Sequence, residues 1–205
     1  MLCEVQSSIK DQDLLSQKRA ILADAAAKKF FKKGYERTTI QDIAEASGMS
    51  VGSIYRYIGK KEDIFTLMLD SVIQIVNKDL VPLKNLRMEP EAKLKVIFEK
   101  YCEIVNSYSK YFVIIIRENR SMDTHQREVI RSLEGTITAC FMCAINDGVE
   151  KQVFTSLADE FWAYNLLVLG QQWTMRKYHY KDLSLDDFIM KQTVIIEKIF
   201  KYINK

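Results

Sequence analysis

Helix breakers are scarce in this 205-residue chain, which has two prolines and seven glycines. Lys, Glu, Ile and Leu are abundant, so the shortage excludes a turn-rich β-sandwich or barrel and predicts an almost wholly helical protein. Histidine is rarer still: His125 and His179 stand alone, and no His-rich metal spacing exists. The four cysteines, Cys3, Cys102, Cys140 and Cys143, form no spaced framework with them. Cys140 and Cys143 do make a C-x-x-C pair, which in principle suits redox chemistry or half a metal site. It lies in the apolar run 139–145, however, where buried small hydrophobes account for it better. Long apolar runs are missing too. The most apolar stretch, 111–116, is far too short to cross a bilayer, and Glu4 falls where a secretion signal would run apolar. The expected location is the cytoplasm. There is no phosphate-cradling glycine loop, nucleophile elbow or persuasive carboxylate pair, so no enzyme is indicated and no cofactor or metal is implied.

The net charge of +3 is small, but it is unevenly distributed. Residues 16–61 carry ten Lys or Arg against four Asp or Glu, whereas 1–15 and 62–205 are each slightly acidic. A cationic segment of that kind favours an anionic polymer as partner and salt-sensitive binding. Within it, Ile40, Ile43, Ala44 and Ser47 recur at i, i+3, i+4 and i+7 and make one buried helical stripe. Thr38 is placed to cap that helix, with Gln41 completing a capping-box pattern. Gly48 supplies the left-handed residue that ends it, and Ser50 restarts the chain as the cap of a second helix. There Ile54 and Ile58, at i and i+4, pin the helix inward and leave Val51, Gly52, Ser53, Arg56 and Tyr57 to project. Two short capped helices joined at a glycine turn are the pattern of a helix-turn-helix DNA reader.

Each projecting residue suits that task. Gly52 allows close approach to a duplex, and the free amides at the helix start attract phosphate. Ser53 can bond a base edge, Val51 can meet a thymine methyl, and Arg56 suits guanine or phosphate. Tyr55, Tyr57, Lys60 and Lys61 offer donors to phosphate oxygens. Packing is the competing role for the tyrosines, Tyr55 above all because it adjoins Ile54, and a solvated turn is the competing role for the lysines.

The stretch 18–64 resembles the DNA-binding domain of the tetracycline-repressor (TetR) family of bacterial transcriptional regulators. Ile21, Leu22, Ala25, Ala26, Phe30, Gly34, Tyr35, Thr39, Ile43, Ala44, Gly48, Ser50, Gly52, Tyr55, Tyr57, Lys61, Glu62 and Ile64 all match at the proper spacing. Ile58 departs from the pattern, which usually has an aromatic there. The resemblance implies backbone contacts from Thr39, Tyr55, Tyr57 and Lys61 and approach to bases by Val51, Gly52, Ser53 and Arg56. With Thr38, Ser50 and Lys60 these make up the candidate DNA-binding set.

An all-α fold follows: an N-terminal three-helix unit, then a helical bundle, about nine helices in all. Residues 1–15 read as a flexible arm, 16–61 as the helix-turn-helix domain and 62–205 as an effector-binding and dimerisation domain. The expected helices are 17–33, the reading pair, 62–80, 91–107, 110–121, 125–148, 157–178 and 185–203. The last two carry apolar residues over more of their surface than one protomer covers, and the resemblance implies a homodimer built through them. It also implies a small-molecule effector. Candidate ligand-binding residues are Phe112, Ile116, Arg120, Cys140, Cys143, Phe161, Tyr164 and Trp173, an aromatic and sulfur-bearing set that could equally be core. The 117–122 stretch and the Trp173 region resemble regulators that sense fatty or aromatic acyl-CoA thioesters, which would bring Arg117, Arg120, Arg176 or Lys177 to the ligand's phosphates. The whole reads as a dimeric repressor on a palindromic operator, released by an apolar or acyl-CoA effector. The alternative is a helical ligand-binding or multidrug-sensing protein with another effector class or without gene-specific DNA binding.

Overall fold

The computed structural model describes residues 5, 7, 9, 11–154 and 160–202. Nine α-helices occur among the described residues: α1 Gln12–Lys33, α2 Ile40–Ser47, α3 Val51–Ile54, α4 Asp63–Ile75, α5 Pro90–Ser107, α6 Ser109–Arg117, α7 Thr124–Glu150, α8 Glu160–Met175 and α9 Leu185–Tyr202. A wide turn, Val76–Leu80, and a tight one, Val81–Asn85, follow α4. No described helix is long and apolar enough to cross a membrane.

Several helix ends fall at the expected residues, and others do not: α4 gives way to the wide turn after Ile75, and α8 ends at Met175. The first helix begins at Gln12, inside the stretch expected to be a flexible arm, because Asp11 caps it by accepting from the amides of Asp13 and Leu14. Leu15 is then buried. The 110–121 helix stops at Arg117 and passes into a tight turn, Asn119–Ser121. Residues 157–159, expected at the start of α8, lie outside the described residues.

The chain divides into two compact units that do not follow chain order. One gathers the described residues up to Ile73 with Lys110–Arg131, and the other takes Gln74–Ser109 with those from Ser132 onward. At the centre of the first, Phe30, Tyr35 and Phe65 make an aromatic cluster whose ring centroids lie 4.4–5.7 Å apart. Leu22, Ile43, Ile54, Ile58, Ile64 and Met68 of the same unit are all fully buried. Each such side chain contributes about 1.5–3 kcal/mol by leaving water. The expected stripes on α1 and α2 therefore find one another.

In the second unit α5 packs on α8 through Tyr101 and Gly170. A β-carbon on Gly170 would lie 2.5 Å from the Tyr101 ring, so the close approach needs a glycine there. The Tyr101 hydroxyl donates to Leu167 O at 3.3 Å, and its ring meets Phe141 edge-on at 5.7 Å. Further along, Trp173 stacks with Tyr180, meets the Phe188 ring at a tilt of 44° and donates its indole N–H to Asn106 Oδ1 at 2.8 Å. Lys93 is buried, and its ammonium reaches Asp147 at 2.7 Å, with Cys143 Sγ 3.4 Å away.

Candidate nucleic-acid interface

Thr39, one residue later than expected, caps α2. Its hydroxyl accepts from Asp42 N at 3.1 Å, while Asp42 Oδ2 accepts from Thr39 N at 2.8 Å, which completes a capping box. The Lys33 ammonium lies 2.5 Å from the same carboxylate. It and the Thr39 donors hold Asp42 well below the usual carboxylate range. Thr38 is only 1% exposed and donates its hydroxyl to Gly34 O at 2.7 Å. It secures the turn after α1 and is withdrawn from any ligand.

Gly48 takes the left-handed conformation, φ 68° and ψ 20°, and its N–H bonds back to Ala44 O. The hydroxyl of Ser50 then accepts from Ser53 N at 3.1 Å and starts α3. That helix is shorter than expected. After Ile54 the backbone tightens into i→i+3 bonds, Arg56 N to Ser53 O and Tyr57 N to Ile54 O, but Ile58 N still reaches Ile54 O at 3.2 Å. Ile54 and Ile58 are consequently both buried.

The tyrosines divide. Tyr55 is 52% exposed and Tyr57 only 5%, so Tyr57 is a packing residue and Tyr55 is the one available to a phosphate. Thr39, Ser50, Gly52, Arg56 and Lys60 are exposed, and Val51, Ser53 and Lys61 half-exposed. Lys61 sits over the Tyr35 ring at 4.1 Å, where the ring face helps to hold the ammonium. The Tyr35 hydroxyl meets Glu62 at 3.2 Å, and burial followed by that carboxylate raises its pKa. The expected donors, apart from Thr38 and Tyr57, thus stand in solvent on a scaffold whose anchors are buried.

Residues 22–68 match the family described as bacterial regulatory proteins, tetR family, and residues 87–176 match the tetracyclin repressor-like C-terminal domain. The chain belongs to the tetR family. It is a DNA-binding transcriptional regulator, as members of the family are. Among curated proteins it is 25% identical over 209 residues to the HTH-type transcriptional regulator HbdR of Aromatoleum sp. (strain CIB), covering 96% of this chain and 86% of that one. Two solved structures share the fold. The regulator FadR from Bacillus subtilis in complex with stearoyl-CoA superposes with a TM-score of 0.68 at 18% identity, covering 88% and 97% of the two chains. AibR in complex with isovaleryl coenzyme A and operator DNA gives 0.73 at 20%, covering 87% and 97%.

The ligand candidates of this tetR-family chain fall in both compact units. Phe112, Ile116 and Arg120 belong to the first unit, the first buried and the others exposed. Cys140, Cys143 and Trp173 belong to the second, where burial pushes the Cys140 thiol up to about 11. Phe161 and Tyr164, at 69% and 50% exposure, line an open face of α8 and not an enclosed pocket. None of the eight lines either described cavity. One is an apolar space of ≈ 20 Å³ bordered by Phe98, Phe154 and Phe200, about enough for one water. The other is an open groove of ≈ 500 Å³ between α5 and α9. No group of three or more His, Cys, Asp or Glu among the described residues could hold a metal.

Several tertiary contacts of the reading head have no sequence signature. Arg117 donates to Phe30 O at 2.7 Å, Ser121 to Glu36 at 3.2 Å, and Gln126 to Glu62 O at 3.0 Å. These bonds bind the end of α6 and the start of α7 to the head across 64 to 87 residues of chain. Two of the acceptors are backbone carbonyls, which no residue pattern marks.

Asp70 on α4 is a further such group. Its Oδ1 is buried with no hydrogen-bond partner, and burial pushes its pKa up to about 6 against the opposing pull of Arg19. A carboxyl raised in the folded state costs stability above that pKa, and the cost is relieved as pH falls from 6 towards 4. Asp70→Asn is expected to raise the unfolding free energy at pH 7.5 by about 1 kcal/mol once solvent screening is allowed for, with a higher melting temperature, and to change little at pH 4. Equal gains at both pH values, followed by calorimetry, would disprove the assignment.

Proposed function

We propose that the protein is a repressor that binds a palindromic operator as a homodimer and is released by an apolar or acyl-CoA effector. The observation that carries the DNA half is the exposure of Gly52, Ser53, Tyr55 and Arg56 around the buried Ile54 and Ile58, within the segment that matches the family. Val51, Gly52, Ser53 and Arg56 meet base edges, and Thr39, Ser50, Tyr55, Lys60 and Lys61 hold the backbone.

The dimer rests on α8 and α9. Phe161, Tyr164, Val168 and Met175 expose apolar surface along α8, and Met190, Val194 and Ile195 expose more on α9. Exposed apolar surface of that extent is what a twofold four-helix interface covers.

The effector reading draws on the fold neighbours bound to stearoyl-CoA and isovaleryl-CoA. Phe112 and Ile116 on α6, and Arg120 just beyond it, are proposed effector contacts, since α6 ends on the Arg117 bond to the C-terminal turn of α1. A ligand that prefers one setting of α6 changes operator affinity by that same preference.

Fluorescence anisotropy with genomic fragments at two salt concentrations, with and without branched-short and long-chain acyl-CoAs, tests both halves. A steep fall in affinity with salt and a severalfold weakening by a thioester are expected. A flat salt response would overturn the DNA reader. A normal salt response unmoved by any thioester would overturn the effector class alone, and a response to lipophilic drugs in its place would favour the multidrug-sensing alternative.

A further inference from the structure

The reading turn has an incomplete end. With only Val51–Ile54 helical, the carbonyls of Arg56 and Tyr57 fall past the last regular turn and before Gly59, so donors must come from elsewhere. Two side chains supply them. Arg19, half-buried on α1, donates from Nε to Tyr57 O at 3.1 Å and from Nη2 to Val5 O. Ser7 donates its hydroxyl to Arg56 O at 2.9 Å, and the same hydroxyl accepts from Ile9 N at 3.1 Å. The guanidinium therefore bridges two backbone carbonyls 52 residues apart in sequence, one beside Arg56 and one in the N-terminal segment.

We infer that Arg19 is a positioning residue of the DNA reader, and that Val5 and Ser7 form with it a clamp that fixes the setting of Tyr55 and Arg56. The inference rests on the DNA-reading assignment above and adds to it how the short recognition element is kept in register. A planar guanidinium carries donors on separate nitrogens at a fixed angle and holds both carbonyls in one set orientation, whereas the three donors of an ammonium radiate from a single rotating nitrogen and fix no such plane. Base readout needs side chains held within about 0.5 Å of their productive geometry, so loosening the turn weakens specific binding more than backbone attraction. The negative charges bearing on Arg19 are Asp70 and Asp63.

The test uses the full chain with Arg19→Lys, Arg19→Met and Ser7→Ala. Affinity is measured for a fragment the unmodified protein retains and for random DNA at the same salt, together with amide exchange at Tyr57 and Ile58 without DNA. Arg19→Lys keeps the charge and loses the fork. Both Arg19 variants are expected to lose about tenfold or more on the retained fragment, with random-DNA affinity for Arg19→Lys within about twofold and its salt slope unchanged. Exchange at Tyr57 and Ile58 should quicken in both, and Ser7→Ala should move the same way by about threefold. Normal specific binding by Arg19→Lys would overturn the inference, because charge alone would then suffice. So would a parallel loss on both DNAs with a lowered melting temperature, the mark of a merely structural residue. Failure of the unmodified protein to bind DNA would overturn the reader assignment itself. The clamp would then stand or fall on exchange, and unaltered protection in Arg19→Met would refute it.

Discussion

A carboxylate at position 52 is expected to lower DNA affinity by about 100-fold or more and to leave the melting temperature unchanged. Gly52 is exposed, its backbone has no positive φ, and a β-carbon there meets nothing within 4 Å. The folded chain therefore accommodates Gly52→Glu, and an acidic group in the first turn after Ser50 does not oppose helix formation. On the proposed reading, everything lost is lost against the duplex, where a negative side chain would be driven towards phosphates. Gly48, four residues earlier, gives the opposite result. Its φ of 68° is left-handed, so Gly48→Ala costs about 1–2 kcal/mol of stability before any DNA is present. Anisotropy and calorimetry on the two variants separate reading from folding. If Gly52→Glu binds within threefold of the unmodified protein, the start of α3 does not face DNA.

The contrast between those glycines was legible in the sequence, since a stop signal between two apolar stripes and a small residue after a cap have different causes. The burial of Ile54 and Ile58 and the cap at Ser50 were legible for the same reason, because they are local. What failed locally failed by one position. Thr38 and Thr39 are adjacent, and either can pair with an acceptor three residues on, so the cap was misplaced; tertiary packing decided it by burying Thr38. Tyr55 and Tyr57 were both offered to phosphate, yet Tyr57 stands at i+3 from Ile54 and beside Ile58, on the face that must be buried. That periodicity was present in the chain and assigns the two tyrosines correctly. The remainder was never local. Arg19 on Tyr57 O, Arg117 on Phe30 O and Gln126 on Glu62 O are side chains meeting backbone carbonyls across 38, 87 and 64 residues. They explain why residues 110–131 cluster with the reading head, which a reading in chain order does not anticipate.

The exposed apolar surface on α8 supports the other large expected effect, the conversion of a dimer to a monomer by Tyr164→Glu with Val168→Glu. Both side chains are open to solvent in the single chain, at 50% and 43% exposure, so neither substitution removes a core contact and helical content should be retained. In the proposed twofold interface both positions would be covered by the partner, and four carboxylates would be buried there without partners. Desolvating even one such charge costs several kcal/mol, more than an interface of two helix pairs supplies in surplus. The mass in solution should therefore halve. Operator affinity should fall by about 10²- to 10⁴-fold, the avidity gained when a second reading head is held at the spacing of the second half-site. Binding to an isolated half-site should not change, because Gly52, Ser53, Tyr55 and Arg56 are untouched. Sedimentation and anisotropy on full and half operators give the two readouts. A double variant that kept its dimeric mass would place the twofold on another face of the molecule, and one that became monomeric yet bound the full operator undiminished would show that the two heads do not read DNA together.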